Sequence, residues 1–220
     1  MIFSFYGGKS KIIDKYPPSK HSKIVEPFCG AANYSLKYFD REIYLYDKYE
    51  VIVNLWKYLI QAKSEDILKL PILKSGENVD NYSQLIKEEK YLIGFNINQG
   101  SACPKKTAKL YNGWNENKRK RIAEDLCKIR HWKVELKDYR DIENVEACYF
   151  IDPPYEFGGE YYHSSVNNKH IDYNELGEWI KLRKGQVICC ENSKANWLPF
   201  VPLKEMYGQK YKTTEVIWTN

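Results

Sequence analysis

The sequence predicts an α/β fold built on a largely parallel sheet with helices on both faces. Three observations point there. Short runs of β-branched and aromatic residues recur along the chain, several with an acid directly behind them. The first two runs lead through a turn into a stretch with helical apolar spacing, which is the rhythm of βα units. With 220 residues, 43% hydrophobic and 29% charged, the chain suits one good-sized core, or a core plus a small insert, and not a disordered protein.

Taken in order, Phe3 and Phe5 alternate with small or polar neighbours, as in a short strand or the end of an extended segment. Gly7 and Gly8 allow a turn with positive φ and a close backbone approach to a ligand, and Lys9 places a cation there. A Gly-Gly-Lys alone is equally an ordinary glycine turn. Ile24 and Val25 read as a strand, residues 26–32 as a turn of mostly small residues, and residues 34–39 as a helix start. The turn has neither G-x-G-x-x-G nor G-K-[ST], so no dinucleotide or phosphate loop is indicated. Residues 43–46 form a second strand, with Asp47 at its carboxyl end. An acid there accepts hydrogen bonds from ribose hydroxyls in sheets of this kind, although Asp47 also suits a helix N-cap. Residues 51–60 read as helix.

From residue 61 to 132 the rhythm breaks, and this stretch reads as a mostly helical insert. Within it, residues 94–106 are rich in Gly, Asn, Ser and Pro and read as loop, and residues 114–131 as a basic helix. Residues 104–133 hold ten Lys or Arg against three acids, a balance of +7 where the whole chain carries +5. Such a block suggests a polyanion partner; a solvated helix face is the plainer explanation. Lys105, Lys106, Arg119 and Arg121 are the candidate phosphate contacts. Asn96, Asn98 and Gln99 are candidates to read base edges, and loop composition explains them equally well.

The sheet resumes at residues 133–136, with Asp138 behind the strand. Residues 147–151 form the next strand and run into Asp152, Pro153, Pro154 and Tyr155. Two prolines fix two φ angles, remove two amide donors and push Asp152 towards extended geometry. The result is a stiff corner presenting a carboxylate and a ring at the edge where open α/β sheets bind ligands; a plain strand exit has the same composition. Residues 172–183 read as a helix capped by Asp172, 186–190 as a strand, 196–202 as a turn and 212–219 as a terminal strand.

The six cysteines form no C-x-x-C pair and no zinc pattern, so reduced, mostly buried thiols and no structural metal are expected. No apolar run reaches the roughly 20 residues that span a bilayer, and the first residues do not read as a signal peptide. The expected location is the cytoplasm, with no membrane partner.

Four motifs together carry a family pattern: Phe5-Tyr6-Gly7-Gly8-Lys9, Glu26-Pro27-Phe28-Cys29-Gly30-Ala31-Ala32, residues 44–55, and Phe150-Ile151-Asp152-Pro153-Pro154-Tyr155. In that order they resemble the Dam-type DNA adenine-N6 methyltransferases that use S-adenosylmethionine. The resemblance implies a Rossmann-like methyltransferase sheet formed by residues 1–60 and 133–220, with residues 61–132 as an inserted, mostly helical DNA target-recognition domain. By the same resemblance, Phe5, Tyr6, Gly7, Gly8, Lys9, Glu26, Phe28, Gly30, Asp47 and Asp138 hold the cofactor. Asp152, Pro153, Pro154 and Tyr155 form the catalytic turn, which acts on an adenine flipped out of duplex DNA. Where the family usually has a second glycine this chain has Ala31 and Ala32, and alanine fits there if its φ is negative. N4 of cytosine and RNA adenine pose the same chemical problem, and a non-catalytic nucleic-acid-binding module is a further alternative. A glutamine-methylating enzyme fits less well, because that group carries Asn before Pro-Pro.

Overall fold

The computed structural model describes residues 1–98, 100–207 and 212–220. Gln99, one of the base-reading candidates, lies outside them. Among the described residues there are seven strands: β1 (Lys23–Glu26), β2 (Glu42–Asp47), β3 (Lys133–Leu136), β4 (Ala147–Ile151), β5 (Gly185–Asn192), β6 (Val201–Tyr207) and β7 (Lys212–Thr219). They make one sheet in the order β3-β2-β1-β4-β5-β7-β6. The first five are parallel, and β7 runs antiparallel to both β5 and β6.

The pleat, with its period of two, sorts the side chains of the central strands. In β4, Cys148 and Phe150 join the larger core, while Ala147, Tyr149 and Ile151 join the smaller one. In β5, Ile188 and Cys190 go with the first set, Val187 and Cys189 with the second. Both faces of these strands are therefore covered, which is why they read as unbroken apolar runs. Helix α2 (Glu50–Gln61) supplies Ile52, Leu55, Trp56 and Leu59 to the larger core. Helix α6 (Tyr173–Lys181) supplies Leu176 and Ile180 to the other. Asp172 caps α6, its Oδ1 accepting from the amides of Asn174 and Glu175 at 3.0 and 3.1 Å. The remaining helices are α1 (Asn33–Lys37), α3 (Ser64–Lys69), α4 (Lys87–Ile97) and α5 (Glu116–Asp125).

Residues 61–132 hold α3, α4 and α5, joined by long irregular stretches, so that less of the segment is helical than expected. Its apolar residues, among them Ile67, Leu92, Phe95 and Trp114, belong to the same core cluster as Phe3 and Trp56. Three further expectations are corrected. Phe3 and Phe5 lie outside any strand; they pack as irregular chain against Trp56 and Phe95. Residues 94–97, read as loop, are the last turn of α4. Gly94 is there for packing: a Cβ would stand 2.7 Å from the Lys105 carbonyl oxygen and the Pro104 Cβ. Residues 201–202, read as turn, begin β6, which among the described residues pairs with β7 alone and, as an edge strand, tolerates Pro202.

Gly94→Ala is expected to destabilise the fold by about 1–3 kcal/mol in urea unfolding, through overpacking. In an open helix the same change stabilises by about 1 kcal/mol, and that result would show that the strap at residues 104–105 yields freely.

Candidate functional site

The loops after β1, β2, β3 and β4 leave the same edge of the sheet, and they bound one cleft. The chain turns to opposite faces after β1 and after β4, since α1 and α2 pack on one side and α6 on the other. The cleft lies at that divergence, where open α/β sheets bind ligands. Including solvent at its mouth it holds about 810 Å³.

The turn after β1 is tightly constrained. Gly30 has φ +43°, and a Cβ on it would meet the Phe5 ring at 3.0 Å. Its carbonyl accepts from the Trp56 indole at 2.8 Å, and its amide donates to Asp47 Oδ2 at 3.0 Å. Asp47 Oδ1 accepts from the Tyr49 amide at 2.9 Å. Asp47 is thus not the N-cap of α2, a position held by Tyr49; it ties the β1 and β2 turns together while lining the cleft. Burial pushes its carboxyl up despite those amide bonds. Glu26 is buried beside it and accepts from the Ser35 amide at 2.7 Å; burial pushes its carboxyl up to about 8. Ala32 does not meet the condition of negative φ under which alanine fits: at φ +45° it is left-handed, although it is not a glycine.

Segment 5–9 forms the opposite wall. Gly7 has φ +74°, and a Cβ there would lie 2.2 Å from the Tyr162 hydroxyl. Lys9 is buried, and its ammonium sits 2.8 Å from Asp152 Oδ1, donates to the Gly7 carbonyl at 3.0 Å and stands 3.9 Å from Glu215 Oε1. Burial by itself lowers the Lys9 ammonium, but the carboxylates of Asp152 and Glu215 outweigh it and leave the group above an ordinary lysine. Asp152 is pushed up to about 6, by burial first; Lys9 opposes this and Glu215 adds to it.

The proline corner is held from four sides. The Tyr155 hydroxyl donates to Glu215 Oε1 at 2.6 Å, and its ring lies 4.5 Å from the Lys9 ammonium. The Pro154 carbonyl accepts from the Tyr173 hydroxyl at 2.6 Å. The Glu156 amide donates to Glu191 Oε1 at 2.7 Å, and burial raises Glu191 to about 7. Asp152 and Pro154 line the cleft together with Phe5, Tyr6, Gly7, Gly8, Lys9, Glu26, Phe28, Gly30, Asp47 and Asp138. Pro153, which is buried, and the half-buried Tyr155 are adjacent to the lining residues Asp152 and Pro154 without lining the cleft themselves. Asp138 is neutralised by Arg140, at 2.8 Å, and by Lys48, at 2.7 Å, and its carboxyl is held well below the usual range, chiefly by Arg140.

Sequence reasoning missed Tyr162 and His163, in the irregular segment that follows the corner. Tyr162 packs edge-on against Phe5 and Tyr6 and closes one side of the cleft; His163 stacks on Tyr49 at 4.9 Å. Glu191 and Glu215 were missed too, since acids within strands ordinarily face solvent.

The basic block divides. Arg119, expected on phosphate, instead donates to the Leu70 carbonyl at the end of α3. Arg130 donates to the carbonyls of Ile60 and Ala62 at the end of α2, and Lys118 to that of Met1 at 2.8 Å. Cations suit helix C-termini. Lys105, Lys106 and Arg121 are exposed, Lys106 in an ion pair with Asp80 at 2.7 Å. Asn96 is buried and donates to the Leu92 carbonyl, so it is no base reader. Among the described residues no group of three His, Cys, Asp or Glu is placed to hold a metal ion, and no helix is long and apolar enough to cross a membrane.

No protein-family model matches the chain, and no curated protein matches it. A conserved hypothetical protein of Streptococcus pyogenes aligns over 89% of this chain and 84% of its own, at 11% identity and a TM-score of 0.36. A likeness of that size carries no argument about function.

Ala32→Gly is expected to stabilise the protein by about 0.5–1 kcal/mol in urea unfolding. Relief of left-handed strain, about 1–2 kcal/mol, exceeds the added freedom of the unfolded glycine chain, about 0.5–1 kcal/mol.

Proposed function

We propose that this chain belongs to the class of S-adenosylmethionine-dependent amino-methyltransferases, with a Rossmann-like methyltransferase sheet. Within that class, we infer a DNA adenine-N6 methyltransferase whose 61–132 segment is the target-recognition insert. The observation that carries the reading is that Asp152, at the proline corner, faces the same cleft as Gly30 and Asp47. The strand order, with an antiparallel β7 between β5 and β6, is compatible with it.

The lining is close to charge balance: Glu26 is pushed up to about 8, Asp138 is paired with Arg140 and Lys48, and Asp152 with Lys9, which leaves Asp47 as the carboxylate without a cation beside it. Asp47 and the turn around Gly30 would hold the ribose end, and the walls from residues 5–9 and Phe28 the rest. When bound, S-adenosylmethionine supplies an electrophilic methyl group on a sulfonium.

The chain's own residues address the weak nucleophilicity of an adenine amino group, whose lone pair is delocalised into the ring. A carboxylate has about four acceptor sites; Lys9 engages Oδ1 of Asp152, and amine hydrogens have room to bind the same group. Hydrogen bonds to the Asp152 carboxylate and the Pro153 carbonyl favour a pyramidal nitrogen, worth about 1.5–3 kcal/mol at the charged group and about 0.5–1.5 kcal/mol at the neutral one. Holding the nitrogen in line supplies up to about 7–11 kcal/mol. Tyr155, pinned through its hydroxyl, presents a ring whose stacking on a base is worth about 1–3 kcal/mol. A base inside a duplex is out of reach, so it must be flipped.

Incubation with duplex DNA and labelled cofactor is expected to yield N6-methyladenine. No methylated base on any DNA offered would end this reading, N4-methylcytosine by nucleoside mass would move it to cytosine, and preference for RNA in competition would change the polymer. Asp152→Ala is expected to lower kcat by at least about 100-fold, as removing one polar group that stabilises a transition state does in other enzymes, while calorimetry still shows cofactor binding. Because Asp152 must be ionised to accept amine hydrogens, kcat/KM should rise with pH through about 6; a flat profile from pH 5 to 8 would separate Asp152 from the chemistry.

Neutralising Lys105, Lys106 and Arg121 is expected to weaken DNA binding and flatten its salt dependence, by about 0.9 in log–log slope for each phosphate that the protein no longer neutralises. Arg119→Ala should lower fold stability and leave that slope unchanged.

A further inference from the structure

We infer that Glu215, on a strand outside all four sequence motifs, is a positioning residue for the Asp152 corner. It draws the Lys9 ammonium partly away from Asp152 and pins the Tyr155 ring, which keeps Asp152 a strong acceptor for amine hydrogens. The catalytic half of this inference rests on the methyl-transfer reading; the electrostatic half does not.

The geometry is specific. Glu215 sits in β7 opposite Asn192 of β5 and Lys204 of β6, and only 7% of it is exposed. One oxygen, Oε1, accepts from the Tyr16 hydroxyl and the Tyr155 hydroxyl, both at 2.6 Å. Two O–H donors on one oxygen need an acceptor there, which a carboxylate supplies. The same oxygen stands 3.9 Å from Lys9. An ammonium has three N–H groups; Lys9 is 2.8 Å from Asp152 and 3.0 Å from the Gly7 carbonyl, and Glu215 lies beyond on the remaining approach. One buried cation is therefore shared between two carboxylates. If the Glu215 charge were removed, Lys9 would pair with Asp152 alone, and the acceptor strength and proton affinity of Asp152 would fall together.

The other titratable groups around Asp152 are Tyr16 near the first strand, Tyr155 and Tyr162 after β4, Cys189 and Cys190 of β5 and Glu26 of β1. Burial pushes all six towards their neutral forms, so Lys9 and Glu215 are the charges that set the field at this carboxyl.

The test is Glu215→Gln, which keeps the side-chain shape and an oxygen for the two hydroxyls. Protein labelled with carbon-13 at aspartate carboxyls reports the Asp152 titration directly by NMR. Its midpoint is expected to fall by about one pH unit, the usual effect of removing a nearby like charge. The acid limb of kcat/KM should move down with it, kcat should fall about 3- to 10-fold, and KM for the cofactor should stay close to wild type. An unmoved or raised midpoint overturns the inference whether or not DNA is methylated. A moved midpoint with unchanged kcat overturns the positioning role. If wild-type protein methylates nothing, the methyl-transfer reading falls by itself and the NMR result still decides the electrostatic half. Should Glu215→Gln fail to fold, Tyr16→Phe removes one donor from Oε1 and concentrates its charge; the Asp152 midpoint should then rise, and no rise overturns the inference.

Discussion

The attraction between the Lys9 ammonium and the Asp152 carboxylate organises the cleft. Taking both groups out of water is costly, and their attraction offsets that cost only where further polar partners complete the arrangement. Here those partners come from distant parts of the chain: the Gly7 carbonyl, Glu215 of β7, and the hydroxyls of Tyr16 and Tyr155 that converge on Glu215. A lone lysine buried under β4 would have no reason to stay charged. With two carboxylates beside it, it ties the irregular first residues to the sheet and holds the proline corner in place.

The segment between α2 and β3 follows a similar economy of polar groups. Its basic residues look interchangeable as letters, yet Arg119, Arg130 and Lys118 are used up on backbone carbonyls, two of them at helix ends. These cations close off carbonyl acceptors, Lys118 from a buried position, Arg119 from a half-buried one and Arg130 from the surface. What is left for an outside partner is the exposed set, Lys105, Lys106 and Arg121 among them. A segment with a balance of +7 can therefore present much less positive charge than its composition suggests.

Strands buried on both faces were plain in the sequence, because burial demands unbroken apolar runs such as residues 147–151 and 186–190, while β2, β3 and β7 showed through their β-branched and aromatic residues. β6 was not legible, since an edge strand admits Pro202, Lys204 and Glu205. The end of α4 was hidden because Gly94 and Asn96 have the composition of a loop, while tertiary packing at Lys105 and a bond to Leu92 give them helical work. At the cleft, the motif residues were visible because glycine turns and proline corners are local. Glu215, Glu191 and Tyr162 were not, because each owes its place to a partner remote in sequence. Ala32 shows the reverse error: its left-handed backbone follows from closing the turn between β1 and α1, which nothing about an alanine announces.

Glu215 and Tyr16 meet across 199 positions of chain. At about 5–20 residues per second of synthesis, roughly 10–40 s separate the emergence of one from that of the other. Of that interval, the part from Asp152 to Glu215 spans 215 − 152 = 63 residues, roughly 3–13 s, in which Lys9 and Asp152 lack their second carboxylate and the edge of β5 that β7 later covers is open. Completion of the cleft and closure of the sheet are thus one late event, so that a nascent chain still missing its terminal strand has neither a finished site nor a protected edge.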